Sequence, residues 1–128
     1  MMNRLAAALL GITLLTAPAK AHPAPAQGDP NVIKIVSSFP RTGSARGQTD
    51  TIVNGLLMAL EEVSYKIGAF TLKYEDLDDA TAAEGKWTAE RETANADQAI
   101  KDPDVMVYIG TYNSGAAKVS MPKLNQAN

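Results

Sequence analysis

The chain has no cysteine among its 128 residues. That absence removes disulfide frameworks, thiolate metal sites, cysteine nucleophiles and lipid attachment through an N-terminal cysteine. Histidine occurs once, as His22, in a stretch rich in Pro, Ala and Gly. Such a setting predicts a solvated tail residue rather than a ligand or a base. Basic charge is not in excess: 12 Lys and Arg stand against 14 Asp and Glu, a net charge of −2. The phosphate-neutralising surface of a nucleic-acid binder is therefore not indicated. No apolar run reaches the ~20 residues needed to span a bilayer. Gly-x-Gly-x-x-Gly, a Lys-containing phosphate loop and an Asp-x-Asp-x-Thr pattern are all missing. Neither a dinucleotide site nor an aspartyl phosphotransfer centre is favoured.

The hydrophobic share is 45% and the charged share 20%, the balance of a globular protein rather than a disordered one. The length suits one domain or part of one. Met1–Ala21 reads as a secretory signal: Arg4 supplies the positive start, Leu5–Leu15 the apolar core, and Ala19-Lys20-Ala21 a small-x-small cleavage site. Ala24-Pro25-Ala26 is a second candidate for cleavage. Removal of Met1–Ala21 takes away Arg4 and Lys20 and no acid, leaving ten basic against fourteen acidic side chains and a net charge of −4. Residues 22–31 follow as a flexible lead-in, and the product is expected to be exported and soluble.

From Val32 onward the pattern alternates. Val32–Val36 is a β-branched run suited to a strand buried on both faces. A loop over Ser37–Gln48 is punctuated by Pro40, Gly43 and Gly47. Ile52, Val53, Leu56, Leu57, Leu60 and Val63 then recur at helical steps, with Thr49 or Asp50 as the cap. Phe70–Tyr74 is a second strand with an acidic end, Glu75, Asp76, Asp78 and Asp79. A second helix is predicted from about Glu84 to Ile100, with Ala89, Thr93, Ala96 and Ile100 facing a sheet. Val105–Ile109 is a third strand, and a third helix starts near Ser114 or Gly115, with Pro122 expected to kink or end it. Strands separated by helices require a parallel sheet, so the fold class is doubly wound α/β. Three parallel strands leave both outer ones unpaired, which predicts an incomplete domain over residues 32–128.

In open α/β sheets, ligands collect beyond the carboxyl ends of the strands. Two segments meet there, Ser37–Gly43 and Gly110–Ala116. The second offers hydroxyls, an amide and a glycine at a helix start, where free N–H groups and the helix dipole favour an anion. A carboxylate held by the Ser114 hydroxyl and the amides of Ser114, Gly115 and Ala116 fits that pattern; so does an ordinary cap at Ser114 facing water. Tyr112, beside it, suits an aromatic wall for an apolar side chain. The acidic cluster at residues 75–79 invites a divalent-ion enzyme, but a solvated turn with helix caps is the plainer expectation. Arg41 is expected in water, and Trp87 as a packing residue beneath a loop.

The segments Ile33–Gln48, Asn54–Val63, Tyr74–Thr81 and Asp102–Ala127 together resemble the amino-terminal part of the leucine/isoleucine/valine-type periplasmic binding proteins. These are the solute-binding components of branched-chain amino-acid ABC transporters. The resemblance implies a partial first lobe of a two-lobe, type I periplasmic-binding fold that closes on its ligand. It implies a non-enzymatic role without metal or cofactor, and a single copy that delivers an amino acid or amide to membrane permease subunits. It places Ser114 in the carboxylate-binding role, with Tyr112 and Asn113 in the same turn and the loop Pro40–Gly43, Thr42 included, bordering the cleft. The remaining ligand contacts and the second lobe would lie beyond Asn128. An extracellular sensing module of the same fold is the alternative.

Overall fold

The computed structural model describes residues 27–127; the predicted signal segment, His22 and the first part of the lead-in lie outside the described residues. The element order is β1 (Val32–Phe39), α1 (Arg46–Glu62), β2 (Lys66–Ile67), β3 (Phe70–Asp78), β4 (Ala80–Thr81), β5 (Lys86–Trp87), α2 (Ala89–Lys101), β6 (Val105–Gly110) and α3 (Ser114–Gln126). The main sheet runs β2-β3-β1-β6, and β4 with β5 forms a small hairpin. β1 pairs in parallel with β3 on one side and with β6 on the other, as the alternation of strands and helices predicts. β2 is a short antiparallel flap on the outer edge of β3.

β1 is the central strand, and Val36, Ser37, Ser38 and Phe39 are all buried. Side chains alternate between the two faces of the sheet. Ile35, Leu72, Tyr74 and Ile109 face α1 and line a cavity of about 250 Å³ with Leu56 and Leu60. Ser38 and Tyr108 face the opposite way, toward α2. Helices therefore lie on both faces, and the fold is the doubly wound α/β class.

Several boundaries depart from the sequence expectation. β1 and β3 run farther than predicted, because Ser37, Ser38, Asp76 and Asp78 pair across the ladder despite their polarity. α1 starts at Arg46 rather than after a Thr49 or Asp50 cap. The Thr49 hydroxyl is instead buried and donates to the carbonyl of Pro40 at 2.5 Å. α2 starts at Ala89, capped by Thr88, whose hydroxyl accepts from the Arg91 amide at 3.2 Å. The predicted start at Glu84 fails because the chain there makes the β4–β5 turn. The buried face of α2 is also different: Glu92, Asn95, Ala96 and Ala99 are inside, while Ala89 and Ile100 are exposed. α3 continues through Pro122 instead of ending there.

The lead-in is anchored at its end. The Asp29 amide donates to Asp104 Oδ1 at 2.6 Å, and the Thr71 amide donates to the Asn31 carbonyl at 2.8 Å. Among the described residues, no helix is long and apolar enough to cross a membrane.

Candidate functional site

The strand order sets the location of the site. From β1 the chain crosses to β3 on one side and later returns to β6 on the other. The carboxyl ends of β1 and β6 therefore flank the crevice where the winding reverses, the usual ligand position in such sheets. The loop after β1 and the turn after β6 both open there, as the sequence predicts.

Asp78, at the end of β3, organises the first loop. Its Oδ1 accepts from the amides of Arg41 and Ala80, both at 2.8 Å, and its Oδ2 accepts from the Thr42 hydroxyl at 2.6 Å. Gly43 closes the loop with a φ of +86°, and a side chain there would overlap the carbonyl of Gly85 in the hairpin turn. Only glycine tolerates both demands. The Ser44 amide donates to that same Gly85 carbonyl at 3.2 Å. Thus the loop of Thr42 is bound to the hairpin.

The hairpin in turn leans on α3. Trp87 of β5 stands over Gly115, leaving no room for a side chain. Asn113 precedes the helix in extended conformation and its side chain makes no capping bond. The Asn113 carbonyl takes the amides of Ala116 at 3.0 Å and Ala117 at 3.2 Å. The amides of Ser114 and Gly115 are left without a side-chain cap, the polarity expected of an anion-accepting helix start. Ser114 is exposed, Tyr112 is 43% exposed, Asn113 and Gly115 are half-buried, and Ala116 is buried. The structure therefore brings Ser114, Gly115 and Tyr112 to one open turn and places Thr42 on the loop across the hairpin. Buried Asn113 Oδ1 has no hydrogen-bond partner.

Two sequence expectations need correction here. Arg41 is not a solvated side chain. Its Nε donates to Asp76 Oδ2 at 2.8 Å, Nη2 pairs with Asp50 at 2.8 Å, and Nη1 donates to Thr49 Oγ1 at 3.1 Å. Nor is the acidic run a solvated turn. Glu75 pairs with Lys34 at 2.5 Å, Asp76 with Arg41, and Asp78 with the loop, while Asp79 is fully buried. The reason is the parallel register, which sets Asp76 and Asp78 beside Ser37 and Phe39 and so beneath the loop that follows β1. Among the described residues, no group of three or more acidic or histidine side chains is placed to hold a metal.

Behind the crevice lies a buried polar cluster that sequence pattern did not single out. The Ser38 hydroxyl donates to Glu92 Oε2 at 2.6 Å and the Tyr108 hydroxyl to Oε1 at 3.0 Å, while Asn95 Nδ2 donates to Ser38 Oγ at 2.9 Å. Burial, reinforced by the charges of Glu92 and Asp79, pushes the Tyr108 phenol up, against the opposing pull of the Ser38 hydroxyl. Neither oxygen of Asp79 has a partner. Burial, then the charges of Glu92 and Asp78, raise its carboxyl from 3.8 to about 7.

No known family profile and no curated protein match the sequence. Two solved structures are similar. The leucine-binding protein LivK of Thermotoga maritima aligns with a TM-score of 0.63 at 20% identity, over 74% of this chain and 25% of its own. A possible leucine/isoleucine/valine-binding protein of Rhodopirellula baltica aligns with a TM-score of 0.64 at 24% identity, over 84% of this chain and 27% of its own. The chain thus spans about a quarter of the length of either structure. At this level of identity the likeness establishes the fold: the parallel α/β sheet and helices match the type I periplasmic-binding arrangement of these two proteins.

Proposed function

We propose that this chain forms the ligand-facing part of the first lobe of an exported solute-binding protein. Its ligand is a small amino acid of the branched-chain kind, which it passes to the permease of an ABC transporter in the periplasm. The α-carboxylate sits at the start of α3, on the Ser114 hydroxyl and the amides of Ser114 and Gly115, the Ala116 amide being bound to the Asn113 carbonyl. Tyr112 walls the apolar side chain, and Thr42 borders the cleft from the loop after β1. The observation that supports this most is the uncapped N-terminus of α3 at the crevice between the ends of β1 and β6. Charge-assisted hydrogen bonds from backbone amides suit a carboxylate head group better than a neutral one. The resemblance of both solved structures' names to this ligand class points the same way.

The test is amide chemical-shift mapping, which registers weak binding. Leucine is expected to move the amide signals of Ser114 and Gly115, and leucinamide, which lacks the carboxylate, to leave them in place. The Ser114→Ala variant is expected to weaken the response. Equal shifts with leucine and leucinamide, or shifts confined to other segments, would overturn the assignment.

A further inference from the structure

The β4–β5 hairpin touches both sides of the crevice. Its turn residue Gly85 accepts from the Ser44 amide at 3.2 Å and leaves no room for a side chain on Gly43, in the loop after β1. Its last residue, Trp87, stands over Gly115 at the start of α3. The hairpin is also lightly held. Its ladder consists of the Ala80–Trp87 and Thr81–Lys86 pairs, whereas β1 is paired on both sides. Asp79 is its hinge: the Asp79 carbonyl accepts from the Thr88 amide at 2.8 Å and closes the base, and the Asp79 amide donates to the Phe39 carbonyl at 3.1 Å.

The side chain at that hinge has no place in the surrounding hydrogen bonds. It is fully buried, and neither carboxyl oxygen has a partner. The donors of the neighbouring cluster are directed elsewhere: Ser38 and Tyr108 both donate to Glu92, and Asn95 donates to Ser38. Glu92, with a donor on each oxygen, is therefore the anion of the cluster. The charges acting on Asp79 are those of Glu92 from α2 and Asp78 from β3, and the Tyr108 phenol of β6 faces it. Lys86 of the hairpin and Arg91 of α2 are exposed, and Arg91 Nη2 donates to the Asp78 carbonyl at 3.4 Å. Arg41, from the loop after β1, is bound to Asp76 and Asp50. An ionised Asp79 is thus a second buried anion beside Glu92, and such a charge must reach water or a partner. Lifting the hairpin exposes it without breaking the main sheet.

We infer that Asp79 is a proton-operated hinge: protonated, it lets the hairpin seat against Gly43 and Gly115, and ionised, it lifts the hairpin and frees both sides of the crevice together. Burial, then the charges of Glu92 and Asp78, raise its carboxyl from 3.8 to about 7. The closed form holds a proton that the open form has released. Opening therefore becomes more favourable as pH rises from the lower value to the upper, by up to about a thousandfold, and no further above it. A segment with few buried contacts opens locally before the whole chain unfolds. The hinge works through contacts within the chain and stands independently of the ligand proposed above.

The test is amide hydrogen exchange of the whole chain between about pH 4 and about pH 8, corrected for the intrinsic pH dependence of exchange. The Ser44 and Thr88 amides, bonded to Gly85 and Asp79, report the seated hairpin. They are expected to be less protected than the amides of Val36 and Ser37 in β1, and to exchange at rates that low urea does not change. Their protection is expected to fall by up to about a thousandfold across the range, and to stay level in Asp79→Asn. Hairpin amides as protected as those of β1 would mean that Asp79 meets water only when the whole chain unfolds, which overturns the inference. So does protection at Ser44 and Thr88 that ignores pH, or an Asp79→Asn variant as pH-dependent as the native chain. The comparison of hairpin with β1 lies within the native chain and needs no variant to fold.

Discussion

The indole of Trp87 occupies the space that a side chain on Gly115 would need: a Cβ built there stands 2.5 Å from Cζ2 and 3.0 Å from Cη2 of the ring. Gly115→Ala must therefore push Trp87 aside, and with it β5, which is tied to β4 through the Ala80–Trp87 pair. Overpacking of this kind costs about 1–3 kcal/mol. Urea unfolding is expected to show that loss. Trp87 is the only tryptophan, so its fluorescence reports the displacement directly, as a red-shifted emission maximum in the folded variant. An unshifted spectrum with full stability would mean that the hairpin gives way without strain.

Asp79 makes stability fall as pH rises through the neutral range. Its carboxyl is fully buried without a partner and titrates at about 7, against 3.8 for the ordinary group. The folded chain thus holds a proton that the unfolded chain has already released. Between those two values the folded state binds more protons, so each unit of pH removes up to about 1.4 kcal/mol of stability, and above the upper value the loss is complete. The groups facing Asp79 are Glu92 of α2, Asp78 of β3 and Tyr108 of β6. Asp102 titrates outside this window: its bond from Lys34 holds it below 3.8, so its contribution is present above that value and lost only in acid. Asp79→Asn is expected to flatten the decline seen by urea unfolding between about pH 5 and about pH 8. It is also expected to be more stable than the native chain at the upper end.

The sequence made the architecture legible where hydrophobic runs decide it. Val32–Val36 and Val105–Ile109 are strands because β-branched residues cluster there, and Ser114 begins a helix because the turn before it is polar and glycine-bearing. The buried face of α2 was illegible because it carries Glu92 and Asn95, which a periodicity of apolar residues does not count. The burial of Glu92 is set by Ser38 and Tyr108, which lie 54 and 16 residues away along the chain, and that of Asn95 by Ser38, 57 residues away. The hairpin was equally hidden, since two-residue strands have no period. Of the candidate site, the helix start was visible in local chemistry. Asp78, which holds the Thr42 loop, and Trp87, which covers Gly115, act across the sheet register and the hairpin, and no local pattern announces either.

Glu92 should be among the most sensitive positions in the chain. Its carboxyl takes hydroxyl donors from two strands, Ser38 of β1 and Tyr108 of β6, and ties both to α2. Glu92→Ala leaves two buried hydroxyls without an acceptor and opens a cavity. Orphaned donors cost about 1–3 kcal/mol each, so a total loss of about 3–5 kcal/mol is expected by denaturant unfolding. Glu92→Gln keeps the shape and an acceptor and is expected to lose only about 1 kcal/mol. The same variant removes a charge that raises Asp79, so the pH-dependent decline should begin at a lower pH than in the native chain. Identical pH profiles for the two would separate Glu92 from Asp79 electrostatically.

The side chain of Asp78 positions the loop that carries Thr42, while its backbone belongs to the β1–β3 ladder. Its two oxygens accept from the Arg41 amide, the Ala80 amide and the Thr42 hydroxyl. Asp78→Ala removes all three acceptors at once, while the β1–β6 ladder does not involve it. Hydrogen exchange at the amides of Arg41 and Ala80 is expected to speed up by about 10–100-fold, the loss of 1.4–2.8 kcal/mol of local protection. The amides of Val107 and Ile109 should exchange as before. Asp78→Asn keeps the side-chain shape and one acceptor oxygen, but its amide nitrogen has no lone pair for a third donor. An intermediate change is expected there. If the alanine variant leaves Arg41 and Ala80 fully protected, the loop is held instead by the approach of Gly43 to Gly85, and Gly43→Ala becomes the substitution that frees it.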